Sequence, residues 1–216
     1  KKILLQGNEA IVQGALAAGC RFFAGYPITP ASEISEILSV KLPLVGGTFI
    51  QMEDEIASMG AIIGASLAGV KSMTATSGPG MDLKAESMGL AVSLELPLIV
   101  VDVQRGGPST GLPTKTEQSD LLLAMYGRHG ESPLPVVAAK SPSHCFATAI
   151  EAARIALRYR TPVILLSDGS LANGSGPWRL PDVATLPDIS VPFATEPNHV
   201  DDDGEACIFA VRMHAI

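Results

Sequence analysis

Four short segments of this 216-residue chain combine a stiff or glycine-opened backbone with side chains able to hold an anion, share a proton or make room for a ligand. In Gly25-Tyr26-Pro27-Ile28-Thr29-Pro30 the hydroxyl of Thr29 is held between two prolines, whose rings fix φ. It reads either as a ligand donor or, with Ser32, as the cap of the next helix. In Glu53-Asp54-Glu55 three acids precede a helix rich in small residues (Gly60, Ala61, Gly64, Ala65, Ala68), which implies that something packs closely on that helix. Acids are ordinary at a helix N-terminus, where the dipole favours them. A carboxyl buried beside such a surface can instead share its proton with a ligand.

The third segment, Thr76-Ser77-Gly78-Pro79-Gly80, has glycines that let the backbone approach a ligand. It is not a dinucleotide fingerprint, because Leu83 stands where the third glycine belongs, and no Gly-Lys-Ser/Thr follows to make a P-loop. The fourth is Gln104-Arg105-Gly106-Gly107-Pro108-Ser109-Thr110-Gly111-Leu112-Pro113-Thr114. The guanidinium of Arg105 matches a carboxylate bidentately, and Ser109 and Thr110 add hydroxyls. The plain alternative is a surface loop with a solvated arginine, although long Gly/Pro/hydroxyl loops in compact domains are often functional. A fifth stretch, Asp168–Asn173, has an Asp-Gly pair and an asparagine, but the order and spacing suit no Mg²⁺-diphosphate motif, so it reads as the end of the last strand.

Each of the four segments follows a short run that reads as a strand. The runs are Arg21–Tyr26, Thr48–Gln51, Ser72–Thr76, Leu98–Val103, Val136–Ala139 and Val163–Ser167. Between them lie helical stretches: Glu9–Ala18, Ala31–Val40, Ile56–Ala68, Met81–Leu94, Leu121–Tyr126 and Ser143–Tyr159. Nearly all-apolar strands alternating with helices predict an α/β fold with a doubly wound, mainly parallel sheet and helices on both faces. Ligands of such folds sit beyond the carboxyl ends of the strands, where the four segments fall. The sequence divides into a domain over 1–175 and an irregular, proline-punctuated tail over 176–216 with the acidic run Asp201–Asp203. The chain starts at Lys1 without a methionine and reads as a piece of a larger polypeptide.

Composition narrows the function classes. Hydrophobic residues make up 47%, charged residues 17%, and the formal charge is −7. No basic stripe is present, so nucleic acid is not an expected partner. Cys20, Cys145 and Cys207 are far apart, without a C-x-x-C, and His129, His144, His199 and His214 lack ligand spacing. No metal or cluster site is therefore expected on this chain, and the cysteine usage fits a reducing, cytoplasmic compartment. The longest apolar runs, such as Leu96–Val101, are strand-sized, so no membrane segment is expected.

The stretches GNEAIVQGALAAGCRFFAGYPITPASEI, QMEDEIASMGAIIGASLAG, TATSGPG and VVDVQRGGPSTGLPTKTEQSD, within residues 7 to 180, resemble the α subunit of 2-oxoacid:ferredoxin oxidoreductases, most closely the 2-oxoglutarate type. The resemblance implies the pyrimidine-binding domain of a thiamine diphosphate enzyme. It implies that Glu55, on its spacing to Gly60 and Ala61, hydrogen-bonds the pyrimidine nitrogen, with Glu53 and Asp54 as competitors. It further implies that Pro27, Gly78 and Gly80 border the cofactor, and that Thr29 and Arg105, with Ser109 and Thr110, orient the substrate carboxylate. A partner β subunit would hold the diphosphate through Mg²⁺ and carry a 4Fe–4S cluster. Coenzyme A would take the acyl group and ferredoxin the electrons. The alternatives left open are a subunit of another 2-oxoacid oxidoreductase or decarboxylase (pyruvate or branched-chain), and a non-catalytic structural subunit. The resemblance also implies that relatives often carry a γ-type domain fused ahead of this region, outside these 216 residues.

Overall fold

A computed structural model describes residues 1–192, 197, 199–200 and 202–207. Six parallel strands form its centre: β2 (Phe22–Gly25), β3 (Thr48–Gln51), β4 (Ser72–Thr76), β5 (Leu98–Gln104), β6 (Val136–Ala138) and β7 (Pro162–Asp168). They lie in the order β3-β2-β4-β5-β7-β6. Every residue of β4, β5 and β7 is buried. That burial is why these strands read as continuous apolar runs rather than alternating ones.

Seven helices flank the sheet among the described residues: α1 (Gly7–Ala17), α2 (Ser32–Leu44), α3 (Glu55–Leu67), α4 (Gly78–Ser93), α5 (Leu121–Tyr126), α6 (His144–Tyr159) and α7 (Gly169–Asn173). Two apolar cores separate the faces. On one, Ile11, Ile34, Leu38, Phe146 and Ala149 of α1, α2 and α6 cover Met73, Val101 and Val163. On the other, Met59, Ile62, Met81, Met88 and Ala124 of α3, α4 and α5 cover Leu98, Val100 and Ile164. The chain leaves β2 towards β3 on one side and returns to β4 on the other. The connections after β2 and β4 therefore diverge, which opens a crevice at the carboxyl edge.

Four strands among the described residues were not expected from the sequence. β1 (Lys2–Gln6) pairs antiparallel with β8 (Ser175–Arg179), from Lys2↔Arg179 to Gln6↔Ser175. Trp178 of β8 packs on Phe146 of α6 with ring centroids 5.0 Å apart. Asp168–Asn173 also differs from the expectation. Asp168 ends β7, and its Oδ1 accepts from the backbone N–H groups of Ser170 and Leu171, so residues 169–173 become α7. A carboxylate cap needs no helical periodicity, which is why the strand reading missed it. Beyond β8 are a 3₁₀ turn at Val183–Thr185 and the antiparallel pair β9 (His199–Val200) and β10 (Ala206–Cys207). Asp201 of the acidic run and His214 lie outside the described residues.

The glycines of α1 and α3 contrast. A Cβ on Gly14 would lie 2.8 Å from Ala149 Cβ and closer still to Phe146 O, so α1 and α6 touch through a glycine. At Gly60 and Gly64 a Cβ would meet nothing within 4 Å. Among the described residues, then, nothing packs against α3 at Gly60 or Gly64. Gly14→Val is expected to destabilise by roughly 1–3 kcal/mol through overpacking. Gly64→Ala should leave the chain as stable or raise its stability by up to about 1 kcal/mol. Thermal melting of the two variants checks the contrast.

Candidate functional site

Strand alternation places Ser72, Thr74 and Thr76 of β4 on the face covered by α3 and α4. Ser72 Oγ donates to Ile62 O of α3 at 2.9 Å, and Thr74 Oγ1 accepts from Lys84 Nζ of α4 at 3.4 Å. Thr76 Oγ1 is so close to Gly80 that any Cβ there would collide with it. A row of hydroxyls thus underlies both helices.

The three acids before α3 have separate places. Glu53 is exposed. Asp54, also exposed, caps the helix, accepting from Ala57 N–H at 2.7 Å. Glu55 is only 7% exposed, and its side chain lies against Gly80. A Cβ on Gly80 would sit 2.9 Å from both Glu55 Cγ and Oε1. Gly80 is the opening that admits this carboxyl. Lys84, 0% exposed, donates to the main-chain carbonyl of Glu55 at 3.1 Å. Burial pulls its ammonium down to about 8, against the opposing attraction of Glu55 and then Asp54.

The loop after β5 is fastened at both ends. Arg105, 7% exposed, donates from Nη1 to Thr29 O at 2.8 Å and from Nη2 to Thr110 O at 2.9 Å. It ties the β2 loop to its own, and the contacts use the main chain of Thr29 and Thr110 rather than their hydroxyls. Its buried Nε–H has no partner among the described residues. Thr29, Pro27, Ser109 and Thr110 are exposed, Ser109 in the left-handed region at φ 56°. α2 begins without a side-chain cap, so neither Thr29 nor Ser32 has the capping role. At the far end of the loop, Gln104 Oε1 accepts from Asp120 N–H at 3.0 Å, and Gln118 Nε2 donates to Asp168 Oδ2 at 2.7 Å.

Asp102 of β5 is 0% exposed, and among the described residues no donor reaches either of its carboxyl oxygens. Burial pushes it well above the usual carboxylate range, and the neighbouring carboxyl of Asp120 adds to the effect. The Asp120 carboxyl is raised as well, by burial first. The Asp120 carboxyl also overlies Gly78, where a Cβ would lie 2.9 Å from Oδ2.

The structure therefore brings Glu55 together with Gly80, and Arg105 together with Thr29 and Thr110; Ser109 and Pro27 stay at the exposed rim of the same edge. Sequence reasoning missed Lys84 and Asp102, although both left a trace. Lys84 falls on the buried stripe of α4 (Met81, Lys84, Met88, Ala91), and Asp102 alternates with Leu98 and Val100. Cys20 and Cys145 are buried thiols, each pushed up to about 11 by burial, and are inert. Among the described residues no three His, Cys, Asp or Glu side chains cluster as metal ligands, and no helix is long and apolar enough to cross a membrane.

The six-stranded parallel sheet with helices on both faces is that of a doubly wound α/β domain. A solved 2-oxoglutarate:ferredoxin oxidoreductase from Magnetococcus marinus, with 2-oxoglutarate, coenzyme A and succinyl-CoA bound, superposes with a TM-score of 0.86 at 45% identity, over 94% of this chain and 36% of that one. Residues 13–211 match the model of the family described as pyruvate flavodoxin/ferredoxin oxidoreductase, thiamine diP-bdg, and the chain belongs to that family. It is 56% identical over 195 residues to the 2-oxoglutarate oxidoreductase subunit KorA of Mycobacterium tuberculosis, covering 88% of this chain and 30% of the relative. It is also 56% identical over 165 residues to the 2-oxoglutarate synthase subunit KorA of Archaeoglobus fulgidus, covering 76% and 48%. The chain thus spans about a third to a half of the relatives it matches.

Asp102 gives a pH test. Its proton affinity is raised on folding, so the native state holds more protons than the unfolded one, and stability falls as pH rises from the ordinary carboxylate range through the raised value. Asp102→Asn keeps the shape and removes the titration. Its melting temperature relative to wild type is expected to climb as the pH goes from about 5 to about 8. A difference that stays constant with pH would show that Asp102 is ionised in the fold.

Proposed function

We propose that this chain holds the pyrimidine half of thiamine diphosphate in a cytoplasmic 2-oxoacid:ferredoxin oxidoreductase acting on 2-oxoglutarate, working with a partner subunit. The observation that carries this reading is Glu55, a carboxyl buried at the carboxyl edge in a space that only a glycine at position 80 leaves open. Such a cradle suits one hydrogen bond to a ring nitrogen with a flat ring alongside. Bound thiamine diphosphate supplies the carbanion chemistry that decarboxylates a 2-oxoacid.

The chain's own residues bind and orient. Glu55 meets the pyrimidine nitrogen, while Gly78, Gly80 and Pro27 border the ring. Arg105 keeps donors beyond the two used on Thr29 and Thr110, since a guanidinium has five N–H groups. With the hydroxyls of Thr29, Ser109 and Thr110 it forms a carboxylate-binding rim next to the cradle. Mg²⁺ and the diphosphate, and a 4Fe–4S cluster passing electrons to ferredoxin, belong to the partner, and coenzyme A takes the acyl group. The open notches at Gly60 and Gly64, with exposed Ile56 and Leu67 on α3 and Leu83 and Leu90 on α4, support a partner seated on that face. The names of the relatives support 2-oxoglutarate as the substrate.

The test is coenzyme A-dependent viologen reduction by the assembled complex, under anaerobic conditions, with 2-oxoglutarate, pyruvate and branched-chain 2-oxoacids. Highest kcat/KM is expected for 2-oxoglutarate, and a preference for pyruvate would correct the substrate while keeping the chemistry. Glu55→Gln should lower kcat at least about 100-fold with an unchanged melting temperature, and retained turnover would remove Glu55 from its role. Arg105→Ala should raise KM for the 2-oxoacid roughly ten- to a hundredfold, with a much smaller change for coenzyme A. Equal rises would argue against a carboxylate rim.

A further inference from the structure

Lys84 is a charged side chain in this layer that the functions above do not use. It is completely buried, yet neither of the ion pairs among the described residues, Glu151–Arg154 and Glu95–Arg160, involves it. A lysine is almost never fully buried unless paired, because an ammonium taken from water is costly. An apolar residue of similar length would fill the α4 stripe as well, since such replacements are often neutral or stabilising. Packing alone therefore gives no reason for a charge at this position.

The contacts of Lys84 converge on Glu55. Its ammonium donates to Glu55 O at 3.1 Å and to Thr74 Oγ1 at 3.4 Å, so it bridges the first turn of α3 to the middle of β4. Gly80 lies four residues earlier in α4, on the same helix face. One face of α4 thus opens a space for the Glu55 side chain through Gly80 and grips the Glu55 main chain through Lys84. The attraction between the ammonium and the charges of Glu55 and Asp54 acts in the same sense, drawing the start of α3 onto α4.

We propose that Lys84 is a positioning residue for Glu55, fixing the first turn of α3 so that the carboxyl meets the pyrimidine nitrogen of thiamine diphosphate. This rests on Glu55 being the acid that meets that ring. Lys84 touches neither cofactor nor substrate and acts only through Glu55.

The experiment measures cofactor binding rather than turnover. The assembled complex, stripped of cofactor, is titrated calorimetrically with thiamine diphosphate and Mg²⁺, and in parallel with the analogue in which the pyrimidine nitrogen facing Glu55 is replaced by C–H. Wild type is expected to prefer the true cofactor. Lys84→Met should cut that preference about tenfold, leave the affinity for the analogue nearly unchanged, and not lower the melting temperature. In a Glu55→Gln background, Lys84→Met should change the preference no further, as two residues acting through one contact require. Full preference in Lys84→Met overturns the proposal for Lys84 and leaves Glu55 in its role, whereas no preference in wild type overturns both. Should Lys84→Met fail to assemble, Thr74→Val removes the ammonium's other acceptor at nearly constant shape. A loss of preference in the same direction is expected there, and an unchanged preference overturns the proposal.

Discussion

The burial of charged side chains at the carboxyl ends of β4 and β5 is the constraint on which the rest of the site depends. Glu55, Lys84, Asp102 and Arg105 all lie within 7% exposure. Water cannot satisfy them there, and an unsatisfied buried charge costs more than a single hydrogen bond returns. Each is answered differently. Arg105 spends two donors on carbonyls of two loops, and Lys84 takes a carbonyl and a hydroxyl. Asp102, with no donor to its oxygens among the described residues, has its proton affinity raised by burial. Loop positions that look arbitrary in the sequence follow from these needs.

The same constraint joins the two faces of the sheet. Thr29 follows β2 and leads into α2 on one face, while Glu55 opens α3 on the other. Parallel topology brings both to one edge but does not fix their spacing, because the connections diverge there. Arg105, just past the end of β5, ties the β2 loop to the β5 loop. Its bond to Thr29 O holds the β2 loop, and the loop ending at Asp120 is pinned by Gln104 and by the Gln118–Asp168 contact. Arg105 thereby has a structural task as well as the binding task its chemistry suggests.

The central strands and most helices were legible because burial on both faces leaves long apolar runs, and the crevice followed from topology alone. β1 and β8 were not legible. They pair across 169 residues, from Gln6 to Ser175, and Ser175–Arg179 holds a glycine and a proline that read as loop. Of the three acids before α3, sequence spacing pointed to Glu55, and the structure adds that it alone is buried while Asp54 is committed to the cap. The main-chain use of Thr29 and Thr110 could not be read, since a carbonyl contact leaves no trace in residue type. Lys84 was hidden for a different reason. A lysine in a helix is ordinarily solvated, and only its place on the stripe with Met81 and Met88 marks it as buried.

The electrostatics of the Gly78–Gly80 turn bear on what can bind there. A helix N-terminus ordinarily attracts phosphate, through free N–H groups and the dipole. At α4 the chain's own Asp120 carboxyl lies against Gly78. A diphosphate would have to displace a carboxylate fastened through its own backbone to Gln104. Desolvation also acts against charge on both sides of the turn, raising the proton affinity of Asp102 and lowering that of Lys84. An uncharged heteroaromatic ring with one hydrogen bond to Glu55 meets none of these objections. On the proposed reading, the turn suits the pyrimidine end of the cofactor, and the glycines would serve close approach of a flat ring rather than the cradling of a phosphate.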